Sequence, residues 1–220
     1  MKTIRIAAAL FTTLLLVGCG TKKAPLYEGH ASSSYMSALA RGEYYLEMSM
    51  LYGDTIYSNK LATEGGRIES LSEIQSLNGE NGMPGQTSVS HSLRLEDTTY
   101  FLDDENKVYF AVSAVGDNGL SGSIDYASAE YVSSGEDTLM TGSTVPFDEY
   151  AVSGKDGASY TLRLYTREDT LCAIVLSNGA DTYEQDISVF SENIPDGMLK
   201  IPKNYTEISE DEYFETYYER

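Results

Sequence analysis

From Gly42 onward the side chains alternate in character every second residue, and that period commits most of the chain to extended structure. Tyr44, Leu46, Met48, Met50 and Tyr52 fall on one side of a strand, with Tyr45, Glu47 and Ser49 on the other. Val89, His91, Leu93 and Leu95 repeat the pattern against Ser90, Ser92, Arg94 and Glu96. Turn formers punctuate these runs: Gly53-Asp54, Gly65-Gly66, the four-residue connection Asp104-Glu105-Asn106-Lys107, and Lys155-Asp156-Gly157. About nine strands joined in sequence order by short turns predict a mainly β fold, an antiparallel meander curled into an open (half) barrel.

Helices are expected only at the ends. Tyr35 and Leu39, four apart in Ser34–Arg41, fit a short N-terminal helix that Gly42 stops. Ser209-Glu210-Asp211-Glu212 has the form of a capping box and opens a short C-terminal helix to Arg220. Asn78–Ser88 and Gly116–Gly122 read as loops. Tyr126–Val132 stays open: its alanines and Glu130 suit a helical turn, its tyrosines a strand. Thr170–Ser177 is apolar at both parities, as expected of a strand covered on both faces.

The first 18 residues follow a different rule. Lys2 and Arg5 precede Ile6–Val17, an uncharged run of 12 residues broken only by Thr12 and Thr13. That run is shorter than the roughly 20 residues a spanning helix needs, and a basic start followed by an apolar stretch is the layout of a secretory leader. Leu16-Val17-Gly18-Cys19 resembles the lipobox of bacterial lipoproteins. The resemblance implies cleavage before Cys19 and a diacylglycerol on its thiol. Acyl chains contribute about 0.8 kcal/mol per buried methylene, so two of them make a stable anchor. The expected organisation is a leader over 1–18, lipidated Cys19 and a tether over 19–34, and one β-rich domain over 35–220. The expected place is extracytoplasmic, anchored to the outer face of the cell membrane, or to the outer membrane in a Gram-negative host.

Composition narrows the function. The 202 residues after the leader carry 13 basic and 34 acidic side chains, a formal charge of −21. Nucleic-acid interfaces are held by Lys and Arg on phosphates, so nucleic acid is not an expected partner. Cys172, in Leu171-Cys172-Ala173-Ile174-Val175-Leu176, reads as a small buried hydrophobe. No metal or cofactor is expected: His30 and His91 have no ligand partner near in sequence, and Asp103-Asp104-Glu105-Asn106 lacks the spacing of a calcium loop. The nearest string to a nucleophile elbow, Gly119-Leu120-Ser121-Gly122-Ser123, is misspaced, and no catalytic residue is assigned.

Tyr44-Tyr45-Leu46-Glu47-Met48 after a short helix, the hairpin Tyr100–Tyr109, and the ending Ile194-Pro195 to Asn204-Tyr205 resemble the periplasmic lipoprotein-carrier fold of the Lol type. That resemblance implies an unclosed sheet wrapped around helices, with acyl chains held in the concavity. The candidate lining for an apolar, lipid-like ligand is Tyr44, Leu46, Met48, Met50, Tyr52, His91 and Leu93. Methionine adapts to irregular ligands. The alternative is a non-enzymatic envelope module that binds an unknown protein partner, and the terminal cluster Tyr213, Phe214, Tyr217 and Tyr218 either docks a helix or forms that surface.

Overall fold

The computed structural model describes residues 29–77, 85, 87–113, 124–154 and 157–218. The leader, Cys19, most of the tether, most of the Asn78–Ser88 loop, Gly116–Gly122 and the Lys155-Asp156 pair lie outside the described residues.

Helix α1 (Ser33–Arg41) opens the described chain. Gly42 ends it in the left-handed conformation (φ 67°), its N–H reaching the carbonyls of Ala38 and Leu39. Six strands then run outward as a meander: β1 (Tyr44–Tyr52), β2 (Thr55–Glu64), β3 (Arg67–Ser76), β4 (Thr87–Leu95), β5 (Thr98–Asp103) and β6 (Val108–Ser113). The chain next crosses to the far margin of the sheet. From there β7 (Ile124–Thr138), β8 (Thr144–Gly154), β9 (Ser159–Arg167), β10 (Thr170–Ser177) and β11 (Thr182–Ser191) return to pair with β1. A two-residue strand β12 (Thr206–Glu207) joins β6 in parallel, and helix α2 (Glu210–Tyr213) leads into a π-helical turn, Phe214–Tyr218.

The sheet therefore has twelve strands in the order β12-β6-β5-β4-β3-β2-β1-β11-β10-β9-β8-β7, antiparallel except at β12 and left unclosed between β12 and β7. This is the mainly β open half-barrel expected, with two corrections. There are more strands than nine, and they are not neighbours throughout in sequence order, because β6 and β7 stand at opposite margins. Tyr126–Val132 is strand, part of the 15-residue β7.

The curl follows from the core. Ile68 of β3 and Ile124, Tyr126 and Ala129 of β7 belong to one cluster with Met36, Ala38 and Leu39 of α1. In a flat sheet seven strand spacings would separate β3 from β7 by roughly 34 Å. They meet around the helix because the sheet bends over it. Alanines on α1 let its axis lie close to the sheet, and Tyr44, Leu46, Tyr150, Leu162 and Leu164 fill the space between. A second cluster of Leu139, Val145, Tyr165, Ala173 and Val175 covers the outer face of β8–β10. Thus β10 is covered on both faces, with Ile174 and Leu176 inward, Ala173 and Val175 outward, and a register shift after Leu171.

Candidate functional site

Strand register decides which side chains share a face. The rows Met48–Asn59–Ser72–Ser90 and Leu46–Leu61–Ser70–Ser92–Phe101–Phe110 lie directly across β1 to β4 and β1 to β6 on the inner, concave face. Tyr44, Leu46, Met48 and Met50 are all buried on that face, as their shared parity requires. Tyr52, at the strand tip, is 68% exposed. His91 and Leu93 are on the opposite face: Leu93 pairs with Glu69, Glu69 with Ala62, and Ala62 with Tyr45. The seven candidate lining residues therefore do not converge. Parity within a strand is legible in the sequence, but parity between strands depends on register.

The inner face has two unlike halves. Beneath α1 it is packed solid. Over β2–β4 its floor is short and polar, made of Asn59, Ser70, Ser72, Ser90 and Ser92. The Asn59 amide donates to Ser72 Oγ (3.1 Å), and Ser70 Oγ donates to Asn59 Oδ1 (3.2 Å). Met48 and Leu61 wall this trough on the α1 side. An aromatic wall stands on the other: Phe101 stacks on Phe110 with centroids 5.2 Å apart, and Tyr213 lies 5.0 Å from Phe110. Arg94 shares the inner face at the end of β4 and makes no ion pair among the described residues. In the sequence the serines of β4 show only as the polar side of a strand.

On the outer face His91 lies between two carboxylates. Its Nε2 is 2.8 Å from Glu69 Oε1, and its Nδ1 is 3.0 Å from Asp104 Oδ2. Glu69 also accepts the backbone N–H of Leu199, and Asp104 accepts the Tyr205 hydroxyl. Burial alone would lower the His91 pKa; hydrogen bonds and charge from Glu69 and Asp104 outweigh it and raise it above the ordinary imidazole value. His91 thus lies across the sheet from Tyr44 and Met48, its ring largely buried between two carboxylates. It belongs to a polar cluster that no spacing in the sequence announces.

A third cluster fixes the start of the domain. Asp148 Oδ2 accepts the N–H (2.9 Å) and hydroxyl (2.8 Å) of Ser32, and its Oδ1 accepts Ser134 Oγ (2.5 Å). His30 stacks on Tyr131 at 3.8 Å, and a cleft of about 250 Å³ opens beside them, lined by His30, Ser134, Pro146, Phe147 and Asp148. Burial would raise the Asp148 pKa, but the Ser134 and Ser32 hydrogen bonds outweigh it and hold the carboxyl below its usual range. Both its oxygens are engaged by the chain itself, which makes the cluster a structural knot rather than a ligand site.

Cys172 is half-buried against the outer cluster, its thiol 3.5 Å from the Tyr165 carbonyl and its pKa raised chiefly by burial. Asp103 Oδ1 accepts the N–H groups of Glu105 and Asn106, closing the acidic turn by itself. Among the described residues no group of acids, histidines and cysteines is arranged to hold a metal ion, and no helix is long and apolar enough to cross a membrane.

No family model and no curated protein matches the chain. Among solved structures it is similar to an uncharacterized conserved protein from Thermus thermophilus, with 11% identity and a TM-score of 0.35 over 80% of this chain and 99% of that one. It is also similar to MucB, with 15% identity and a TM-score of 0.33 over 80% of this chain. The chain spans 65% of the MucB chain. The strand pairing, not these likenesses, carries the fold assignment.

Proposed function

We propose that this protein is an extracytoplasmic, non-catalytic lipoprotein, anchored through Cys19, that holds an elongated amphiphile in the trough over β2–β4. The observation that carries this reading is the polar, small-residue floor of Asn59, Ser70, Ser72, Ser90 and Ser92 between apolar and aromatic walls. A curled sheet normally fills its concavity with large side chains, as this one does beneath α1. Here Asn59, Ser70 and Ser72 are buried and short, so they bring little side-chain volume of their own to the concavity. Arg94 at the end of the trough suits an acidic head group.

At about 0.8 kcal/mol per methylene, eight buried methylenes supply about 6 kcal/mol, a dissociation constant on the order of tens of micromolar. Mass spectrometry of organic extracts from protein purified out of membranes is expected to show a bound amphiphile. Dansyl-undecanoic acid is expected to bind the emptied protein, and the double substitution Ser72→Leu and Ser92→Leu to abolish binding by filling the trough. A clean extract together with no uptake of the dansyl probe would refute the reading.

A second reading is favoured by one end of the sheet. Leu51, Tyr52, Leu77 and Val89 stand exposed there, where β1 turns into β2 and β3 ends beside them. A protein partner with an apolar surface of its own would cover these side chains. A photo-crosslinker at position 52 that captures one defined envelope protein would support it.

A further inference from the structure

Residues 192–218 leave β11 and pass over the outer face, where Leu199 is buried against Tyr45 and Ala62. They then bind the β6 margin through Thr206 N–H to the Lys107 carbonyl and Ile208 N–H to the Tyr109 carbonyl, both 2.9 Å. Beyond that margin the arm turns inward, and Tyr213 and Phe214 pack on Phe110, the aromatic wall of the trough. Two of its attachments run through carboxylates that share a single imidazole: Glu69 holds Leu199 and Asp104 holds Tyr205, with His91 between them.

A protonated imidazole offers one N–H to each carboxylate. A neutral one has a single N–H, so one carboxylate then faces a nitrogen lone pair and must turn away, loosening its hold on the arm. We propose that the arm is a proton-locked gate on the β6 side of the trough: the His91 imidazolium pins Glu69 and Asp104, and through them the arm, while loss of its proton frees Tyr213 and Phe214 from Phe110. The proposal rests on the trough being the ligand site, but the lock itself does not.

The groups facing His91 are few. Glu69 comes from β3 and Asp104 from the β5–β6 turn, while Leu71 and Leu102 are its apolar cross-strand neighbours. Around them, Lys107 lies over the Tyr205 ring at 5.2 Å, and Asp103 in the same turn accepts the Tyr213 hydroxyl. Glu207 of β12 accepts the Tyr109 hydroxyl (3.2 Å). Burial, then Asp104, pushes the Tyr205 phenol upward, so it remains a donor throughout the neutral range. The sign is therefore set by His91. Its pKa is raised in the closed state, so the lock is complete below the ordinary imidazole pKa and is lost as pH rises through the raised value.

The test is hydrogen exchange with mass spectrometry on the intact protein from pH 5.5 to 8.5, read as protection factors of the arm against those of β1 and β2. Arm protection is expected to fall by up to about tenfold per pH unit across the His91 titration, with the reference strands unchanged. His91→Gln should leave the arm loose and independent of pH. Tyr205→Phe, which spares His91, should loosen it at every pH. Uptake of dansyl-undecanoic acid should quicken in parallel with loosening in the native protein. Arm protection that does not change with pH, or a His91→Gln arm as protected as the native one at pH 5.5, overturns the lock while leaving the trough standing. A pH-dependent arm with no probe uptake at any pH overturns the trough, and the gating role with it.

Discussion

Replacing Asp148 by alanine tests whether the knot at the start of the domain stabilises the fold as its geometry implies. Asp148 is only 5% exposed and accepts three hydrogen bonds, two from Ser32 and one from Ser134. Bonds to a buried charged group contribute about 1.5–3 kcal/mol each, so complete loss would amount to more than 4 kcal/mol. Part is recovered, because Ser32 Oγ keeps the Tyr150 hydroxyl (2.7 Å) and Ser134 Oγ keeps that of Tyr131 (2.8 Å). Only the Ser32 N–H is left without a partner. The expected net loss is about 3 kcal/mol, or a fall in Tm of about 6–12 °C for a domain of this size.

The assay is urea unfolding, with a lower midpoint and an unchanged slope. Asp137→Ala is the control: Asp137 meets Arg163 at 3.0 Å but is half-exposed, and its loss should change stability by no more than about 0.5 kcal/mol. The pH dependence has a definite sign. A carboxyl depressed in the folded state stabilises fully above its ordinary pKa and less as pH falls through the depressed value, so Asp148→Ala should flatten the acid limb of the stability profile. A loss below about 1 kcal/mol, equal to that of Asp137→Ala, would show that burial and bond count at this site do not translate into stability.

Two further outcomes follow from single positions. Cys19→Ala is expected to leave the domain folded but to block leader removal at this site and incorporation of labelled palmitate; a native protein that takes up no palmitate and keeps its leader would refute the lipobox reading. Gly135→Ala places a methyl 2.9 Å from the tip of the Phe147 ring, which must shift from the position in which the Arg163 guanidinium lies 4.5 Å from its centroid. That should cost about 1 kcal/mol, and an unchanged Tm would show that the ring gives way freely.

Much of this molecule is written locally. The alternation in Tyr44–Tyr52, the glycine at 42 and the two apolar parities of Thr170–Ser177 each depend on a few neighbouring residues, and each leads to the right element. Ser209 accepts the Glu212 N–H, as the capping pattern requires. Tyr126–Val132 cannot be settled in the same way, because it lies at a sheet margin where one partner strand, not propensity, holds it.

The sites are hidden for a different reason. A strand's own parity says which of its residues share a face, but not which face of the next strand they join. One residue of register moves every side chain across the sheet. His91 and Leu93 therefore group with Tyr44 and Met48 by sequence, although the pairing puts them on opposite sides. Glu69, Asp104 and Tyr205 are separated by 35 and 101 residues in sequence and meet at or around one imidazole only because the arm folds back across β3–β6. Sequence alone determined the extended β character and the acidic balance of the chain, since those depend on composition and short-range period. Which residues face the trough, and what holds the arm beside it, was decided by long-range strand pairing, because only tertiary contacts bring distant carboxylates and hydroxyls within hydrogen-bond reach.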